Sequence, residues 1–312
     1  MTPPAILPSR GPADRLTTLF WRRPKILLAL LVTPPLLWLG VVYVGSLAAL
    51  LMQSFYSIDE FSGLVVPEFT LKTYGELLRP SNFDIILRTL TMSAAVTLAS
   101  AILAFPIAYF AARYAKGRWK AVFYLGIMLP LWSSYLVKVY AWKLILAKEG
   151  IITWVAEATH TAPLLNAALA LPGIGGNSLS TSYIGTFLVF LYVWLPYMIL
   201  PMQASLERVP TTMLEASADL GATRAQTFRT VTLPLALPGV IAGSIFTFSL
   251  TMGDYIIPQI IGNSANFIGM AVYQLQGTAG NLPLAAAFAV VPILIMLAYL
   301  AIAKRMGAFD AL

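Results

Sequence analysis

One polar stretch in the second half of the chain decides the fold and the function that we predict. Residues 212–238 read TMLEASADLGATRAQTFRTVTLPLALP. Thr212 with Glu215 has the three-residue spacing of a capping box, which marks the start of a helix, and Thr223 with Gln226 repeats that spacing. The stretch therefore predicts two short helices in succession.

A glycine and two prolines delimit these helices. Gly221 stands between them, and glycine readily adopts the left-handed backbone conformation that ends a helix and turns the chain. We expect Pro234 and Pro238 to end the second helix, because proline lacks the N–H group that a helix interior needs. So short a hairpin cannot form a core around its own apolar side chains, which are Met213, Leu214, Ala218 and Leu220. We therefore expect it to dock onto another surface.

The overall composition indicates a polytopic membrane protein. Of the 312 residues, 59% are hydrophobic and 11% are charged, and the mean hydropathy is +0.79. Such a chain is too apolar for a soluble globule and too long for one anchored helix. The absence of cysteine and the single histidine argue against disulfides, thiolate metal sites and cysteine nucleophiles. The pI near 9.6 fits basic cytoplasmic loops better than nucleic-acid binding.

Six apolar stretches are long enough to cross a bilayer whose hydrocarbon core is about 30 Å thick. They cover residues 26–50, 85–112, 121–146, 183–205, 237–257 and 284–303. The first is too long for the apolar region of a signal peptide, so we expect it to remain as a membrane helix. The predicted organisation is a basic tail at 1–25, a six-helix domain at 26–305 that contains the hairpin at 211–234, and a short tail at 306–312.

The distribution of positive charge predicts the orientation. If both termini lie in the cytoplasm, most of the 20 Lys and Arg residues lie there too, including the clusters that contain Arg22, Arg113 and Lys304. Cytoplasmic loops of membrane proteins carry such an excess. This orientation places the hairpin in the cytoplasm, between the fourth and fifth spans, and the segments 51–84 and 147–182 outside. The predicted fold class is an all-α polytopic membrane protein with six transmembrane helices and both termini cytoplasmic.

The hairpin resembles the EAA loop of the membrane subunits of bacterial ABC importers. That loop has the pattern Glu-Ala-Ala, three residues, Gly, nine residues, Ile, any residue, Leu-Pro. The matching residues here are Glu215, Ala216, Ser217, Gly221, Val231, Leu233 and Pro234, with Ser217 in place of the second Ala and Val231 in place of Ile. The resemblance implies the type I ABC importer permease fold and a location in the bacterial cytoplasmic (inner) membrane.

Further stretches resemble the spermidine/putrescine branch of those permeases. They are Phe105 to Tyr109 with Ala112 and Arg113, Leu129 to Lys138 with Tyr140 to Trp142, and Gly253 to Tyr255 with Pro258, Gln259 and Gly262. Lys138 stands where that branch has Arg, which keeps the charge and loses the forked geometry. The resemblance implies a small solute, in first place a polyamine or a similar organic cation. Permeases of this branch for an amino-acid derivative, a phosphonate, thiamine or ferric ion are the alternatives.

The family resemblance also implies the partners. In such importers the hairpin sits in a groove on a cytoplasmic ABC ATPase dimer, and the residues expected to couple here are Glu215, Ala216, Ser217, Asp219, Gly221, Leu233 and Pro234. ATP and magnesium are expected on that ATPase and no cofactor in this chain, which contains no Gly-x-x-x-x-Gly-Lys-Ser/Thr phosphate loop. A second homologous permease subunit, an extracytoplasmic solute-binding protein and membrane lipid are the other expected partners. Nucleic acid is not among them.

One acidic residue falls inside a predicted span. Asp254 should face protein or water and have a partner, because a carboxylate at mid-bilayer costs at least about 2.5 kcal/mol on insertion scales. A cationic solute is one such partner, and a permanent pair with Lys138 or Arg88 is the other. Aromatic side chains can add cation–π faces to a solute path or serve only as packing; the candidates are Tyr255, Trp132, Tyr135, Trp194 and Tyr197.

The spans contain no arrangement that indicates an enzyme. No Ser/His/Asp set or paired carboxylates occur in them, and His160 has no neighbours suited to a metal. A self-contained ion-coupled carrier is the alternative function. Carriers of that kind usually show internal repeats and several ionisable groups within the membrane, whereas this sequence places one acid there. The sequence therefore favours a permease subunit driven by another chain.

Overall fold

The computed structural model describes residues 24–59, 61–263, 266–277 and 279–305. They belong to two compact units, Met1–Gln53 and Ser54–Leu312. The first unit contains a continuous helix in three parts: Pro24–Trp38 (α1), a π-helical segment Leu39–Val44, and Gly45–Gln53 (α2). Nearly all of the tail predicted for residues 1–25, and the whole tail predicted for 306–312, lie outside the described residues.

The second unit is almost entirely helical. It opens with a small hairpin in which Ser57–Ile58 (β1) pairs antiparallel with Val65–Val66 (β2), followed by Lys72–Leu77 (α3). The long helices are Pro80–Arg113 (α4), Gly117–Trp132 (α5), Tyr135–Ile145 (α6), Tyr183–Arg208 (α9), Leu233–Gly253 (α12) and Leu282–Arg305 (α15). The shorter ones are Ile151–Ala158 (α7), Ala162–Leu169 (α8), Thr211–Asp219 (α10), Arg224–Thr227 (α11), Ile256–Ile260 (α13) and Ile268–Gly277 (α14).

The helices are long enough for a polytopic membrane protein. Within the described part of the chain, five helices have the length and hydropathy to cross a membrane, or six if α5 and α6 together form one span. The prediction of an all-α polytopic membrane fold is confirmed. The cytoplasmic location of both termini stays a prediction.

The third predicted span, 121–146, is not one straight helix. α5 and α6 meet at an angle of 94°. The chain breaks at Ser133 and Ser134, which have extended backbone conformations (ψ of 150° and 131°). The carbonyl of Pro130 accepts hydrogen bonds from Ser133 Oγ at 3.0 Å and from Lys138 Nζ at 2.7 Å. A proline and two helix-ending serines thus divide the predicted span into a bent pair of helices.

The fifth predicted span, 237–257, begins and ends earlier than the sequence suggested. A continuous helix runs from Arg224 through a π-helical segment, Phe228–Thr232, to Gly253. Pro234 lies in the first turn of α12, where a missing N–H costs little, and Pro238 lies inside the helix. The expectation that these prolines end the second hairpin helix was therefore wrong. The helix ends at Gly253, and Asp254 lies beyond it rather than within a span.

The core of the second unit centres on α9, which packs closely against α12 and α4. Phe190, Met198 and Met202 of α9 are fully buried. A Cβ atom placed on Gly239 of α12 would come within 2.5 Å of the Ser205 Cβ on α9. Small residues permit such close helix contacts in membrane proteins. The α9–α12 pair thus positions both ends of α12, where the candidate sites lie.

Candidate functional site

The first candidate site is the hairpin formed by α10, α11 and the turn between them. α10 begins at Thr211, and the residue before its first turn is Pro210, with no side-chain cap. The capping box predicted for Thr212 and Glu215 was therefore wrong, since Thr212 lies inside the helix. The second predicted box is present: the Thr223 Oγ1 accepts from the Gln226 N–H, and the Thr223 N–H donates to Gln226 Oε1 at 2.8 Å.

The turn at Gly221 has the geometry of a glycine-terminated helix. Gly221 has a φ of 78°, its N–H donates to the Ala218 carbonyl at 2.9 Å, and the Ala222 N–H donates to the Ser217 carbonyl at 3.1 Å. This pair of bonds is the Schellman motif, which satisfies carbonyls at the end of a helix. A Cβ on Gly221 would meet nothing within 4 Å. The backbone conformation, and not crowding, therefore requires glycine here.

Two side-chain contacts hold the hairpin together and join it to α4. Ser217 Oγ and Thr227 Oγ1 lie 2.9 Å apart across the two short helices. Phe228 packs edge to face on Phe105 of α4, with ring centroids 5.4 Å apart. Ser217, one of the two departures from the family pattern, thus makes a hydrogen bond that the expected Ala cannot make.

The first hairpin helix presents most of its surface to solvent. No residue of α10 is buried, and Leu214 and Ser217 are its half-buried residues. Met213 is 50% exposed and Leu220, at the end of the helix, is 89% exposed. Six of the seven predicted coupling residues are also exposed, namely Glu215, Ala216, Asp219, Gly221, Leu233 and Pro234. Apolar and acidic groups thus share one short, uncovered element.

The second candidate site surrounds Asp254, just beyond the end of α12. Its Oδ1 accepts hydrogen bonds from the N–H groups of Ile256 at 2.8 Å and Ile257 at 3.2 Å, in the first turn of α13. Its Oδ2 accepts a hydrogen bond from the Tyr135 hydroxyl at the start of α6. The carboxylate thus ties together α12, α13 and the bent pair.

Four of the six predicted solute-path residues line one cavity of about 330 Å³, namely Tyr135, Trp194, Asp254 and Tyr255. The rings of Tyr135 and Trp194 stack with centroids 5.8 Å apart. Tyr197 meets Trp194 edge to face with centroids 5.7 Å apart and does not itself line the cavity. Trp132 is 74% exposed at the end of α5 and does not line this cavity.

The charge of Asp254 has no cationic partner among the residues that the structure describes. The two cations proposed from the sequence bind elsewhere: Lys138 donates to the Pro130 carbonyl, and Arg88 pairs with Asp84. The permanent ion pair considered as an alternative for Asp254 is therefore absent. Hydrogen-bond donors therefore hold the carboxylate in place, and the side chain lines the cavity.

Two residues near the base of the hairpin escaped the sequence-based prediction. Glu207, one residue before the end of α9, binds Lys120 and Tyr124 of α5. Arg113, which the sequence marked as a cytoplasmic basic residue and as part of the family resemblance, donates through Nη2 to the Val209 carbonyl at 3.0 Å. The signal in the sequence was an acidic residue at the end of a span among basic ones. Its partner could be found only once α5 and α9 were brought together.

Comparison with known proteins identifies the family. A family model described as the inner membrane component of binding-protein-dependent transport systems matches residues 104–308. The chain belongs to this family. The permease is 58% identical to the inner membrane ABC transporter permease protein YdcU of Escherichia coli (strain K12), over 98% of this chain and 97% of the relative. It is 29% identical to the spermidine/putrescine transport system permease protein PotB of the same organism, over 72% of this chain and 76% of the relative.

A solved structure supports the fold. The permease superposes on a chain of the bacterial alginate ABC transporter in complex with an alginate pentasaccharide-bound periplasmic protein, with a TM-score of 0.70 and 16% identity. The match covers 94% of the permease and 97% of that chain. The permease is thus an inner membrane transport subunit of an ABC importer and not an enzyme. The ion-coupled carrier that the sequence left as an alternative is not supported.

Proposed function

We propose that this permease carries a small organic cation of the polyamine class across the membrane. The observation that carries the proposal is the cavity in which the unpaired carboxylate of Asp254 lies beside the rings of Tyr135, Trp194 and Tyr255. A carboxylate attracts an ammonium group, and aromatic faces attract cations within about 6 Å of the ring centroid. The name of the relative PotB, which specifies spermidine and putrescine, agrees with this chemistry.

The fold alone does not choose the solute. The alginate transporter, which shares the fold, is named for an acidic polysaccharide, and the name of YdcU specifies no solute. A carboxylate without a cationic partner repels an anion in the same cavity, so Asp254 disfavours acidic solutes and phosphonates. Amino-acid derivatives, thiamine and ferric ion carry positive charge and remain the competing solutes for this site.

We also propose that ATP hydrolysis on another chain supplies the energy for transport. The exposed α10 is the element that would dock onto a cytoplasmic ABC ATPase dimer, which would hold ATP and magnesium, while this chain holds no cofactor. The surface of α10 combines the exposed apolar side chains of Met213 and Leu220 with the carboxylates of Glu215 and Asp219. Short helices are marginal in water, so a partner surface would complete the packing of α10. A second homologous permease and an extracytoplasmic binding protein complete the proposed assembly.

Substitution of Asp254 by Asn tests the choice of solute. Asp254→Asn keeps the size of the side chain and removes its charge. We expect the KM for uptake of putrescine or spermidine to rise about tenfold or more, because hydrogen bonds to charged groups contribute about 1.5–3 kcal/mol. Radiolabelled uptake into proteoliposomes that contain the complete importer measures this change.

Glu157→Gln is the matched control, since Glu157 is an exposed carboxylate on α7, away from the cavity. This variant should transport normally. Unchanged uptake kinetics for the polyamines in Asp254→Asn, with the control also unchanged, would refute the assigned role of Asp254. Saturable, competing uptake of thiamine or an amino-acid derivative in place of polyamines would refute the solute class.

A further inference from the structure

Glu207, near the end of α9 and just before the hairpin, binds side chains of α5, the first helix of the bent pair. The Glu207 carboxylate accepts from Lys120 Nζ at 3.0 Å and from the Tyr124 hydroxyl at 3.0 Å, both on α5. Gln203, one turn back on α9, donates to the same oxygen at 3.3 Å. Three donors thus converge on Oε1 of one carboxylate, which joins the end of α9 to the first turns of α5.

A second contact with a neighbouring helix lies at Val209, two residues after Glu207. Arg113, the last residue of α4, donates to the carbonyl of Val209, and Val209 is 4% exposed. Val209 and Pro210 are the whole connection between α9 and α10. Proline fixes its own φ and restricts the residue before it to extended conformations. The connection to the hairpin is therefore short and stiff, and α4 holds it directly.

These contacts link the start of α10 to both α4 and α5. A displacement of α10 reaches Val209 through Pro210 alone, and Arg113 then passes it to α4. The same displacement reaches Glu207, and Lys120 passes it to α5, which leads into the 94° bend and the cavity wall at Tyr135. A separate connection runs along the chain itself: α11 continues into α12, and α12 ends next to Asp254 on the other side of the cavity.

We propose that Glu207, Lys120 and Arg113 form an elbow clamp that transmits the movement of the hairpin to α4 and α5. They are positioning residues and touch no solute. The inference rests on the proposed docking of an ATPase on α10, and it adds a second mechanical path to the one through α12. With the clamp open, α12 still moves with the hairpin while α5 does not, so ATP hydrolysis continues without a matching rearrangement of the cavity.

The test compares charge-removing substitutions in the Lys120–Glu207 pair, which joins α5 to α9, with one at a nearby position of α5. Lys120→Gln and Glu207→Gln open the clamp, while Arg118→Gln removes an exposed charge from the same helix and serves as the control. A partly exposed ion pair such as Lys120–Glu207, with side chains 41% and 29% exposed, contributes little to stability, so the variants should fold. The measured quantity is solute taken up per ATP hydrolysed in proteoliposomes that contain the complete importer.

We expect this ratio to fall about fivefold or more in Lys120→Gln and Glu207→Gln, a range typical of coupling between sites, and to stay unchanged in Arg118→Gln. Reversal of the pair in Lys120→Glu/Glu207→Lys should restore part of the ratio. An unchanged ratio in both single variants would overturn the clamp. Failure of the unmodified permease to retain the ATPase during purification would instead overturn the proposed docking, so the two failures can be told apart.

Discussion

At the scale of single residues, Gly239 and Gly243 set the distance between the two central helices. A Cβ on Gly239 would lie 2.5 Å from Ser205 Cβ and 2.6 Å from the Pro201 carbonyl oxygen, and one on Gly243 would lie 3.0 Å from both the Cα and the carbonyl oxygen of Met198. Backbone and Cβ atoms cannot move aside as the end of a flexible side chain can. Closely packed interiors respond to one added methyl group, so these glycines are steric requirements.

Gly239→Ala should therefore destabilise the permease by about 1–3 kcal/mol, the usual cost of overpacking. Gly126→Ala is the control, because a Cβ on Gly126 in α5 meets nothing within 4 Å. The control should be neutral or slightly stabilising, since alanine favours a helix by about 1 kcal/mol over glycine. Thermal unfolding in detergent, followed by the fluorescence of tryptophan, measures both. Equal loss of thermal stability in the two variants would contradict the steric argument.

Single residues also show where reasoning from the sequence succeeds and where it fails. Gly221 was assigned correctly because its requirement is local: the positive φ follows from the helix end next to it. Asp254 was placed inside a span because hydropathy cannot show where a helix ends within an apolar stretch. Its hydrogen bond from Tyr135, 119 residues earlier, depends on tertiary structure and has no signal in the sequence.

At the scale of elements, prolines alone did not determine which helices bend. α4, α9 and α15 contain Pro106, Pro196 with Pro201, and Pro292, and each remains one helix. Only the stretch with Pro130 breaks among the helices that the structure describes, since Ser133 and Ser134 follow in extended conformations. Neighbouring helices can satisfy the carbonyls that a proline leaves free. The bend was therefore beyond prediction from proline positions.

The exposed helix α10 supports a prediction of its own. Leu220 is 89% exposed, so Leu220→Gln should leave the free energy of unfolding within about 0.5 kcal/mol of its original value. It should nevertheless weaken retention of the ATPase, because an apolar contact at an interface can contribute about 1–2 kcal/mol to binding. Co-purification at increasing dilution measures the retention.

Leu164→Gln is the control for this element, since Leu164 is 74% exposed on α8, which lies outside the hairpin. Both variants lose one exposed leucine, and only Leu220→Gln should release the ATPase. Equal retention in the two variants would show that the apolar surface of α10 is not a docking surface.

At the scale of the whole molecule, composition and charge were enough to indicate a polytopic helical protein, and the spacing of the hairpin residues was enough to indicate its family. Composition and residue spacing can both be read from the sequence alone, so neither prediction requires knowledge of tertiary contacts. The cavity at Asp254 and the elbow clamp join helices distant along the chain. They became visible only when the packing of α4, α5, α9 and α12 was known.

The two candidate sites lie at opposite ends of one helix. α11 leads without interruption into α12, and α12 ends at Gly253, next to Asp254. Under the proposed docking of an ATPase on α10, this continuous helix would carry a displacement of the hairpin at one end to the cavity at the other. We infer that the hairpin turn must be stiff for this transfer. Gly221 is the residue at which that stiffness can be removed without touching the cavity.

The most direct test is the uptake of solute per ATP hydrolysed in proteoliposomes with Gly221→Pro. Proline locks φ near −65° instead of 78° and removes the N–H that donates to the Ala218 carbonyl, so the turn cannot form. Gly221→Asn is the control, because asparagine tolerates the left-handed conformation and open space surrounds the position. We expect ATP hydrolysis with almost no uptake in Gly221→Pro and near-normal coupling in Gly221→Asn; an unchanged ratio in Gly221→Pro would contradict the account.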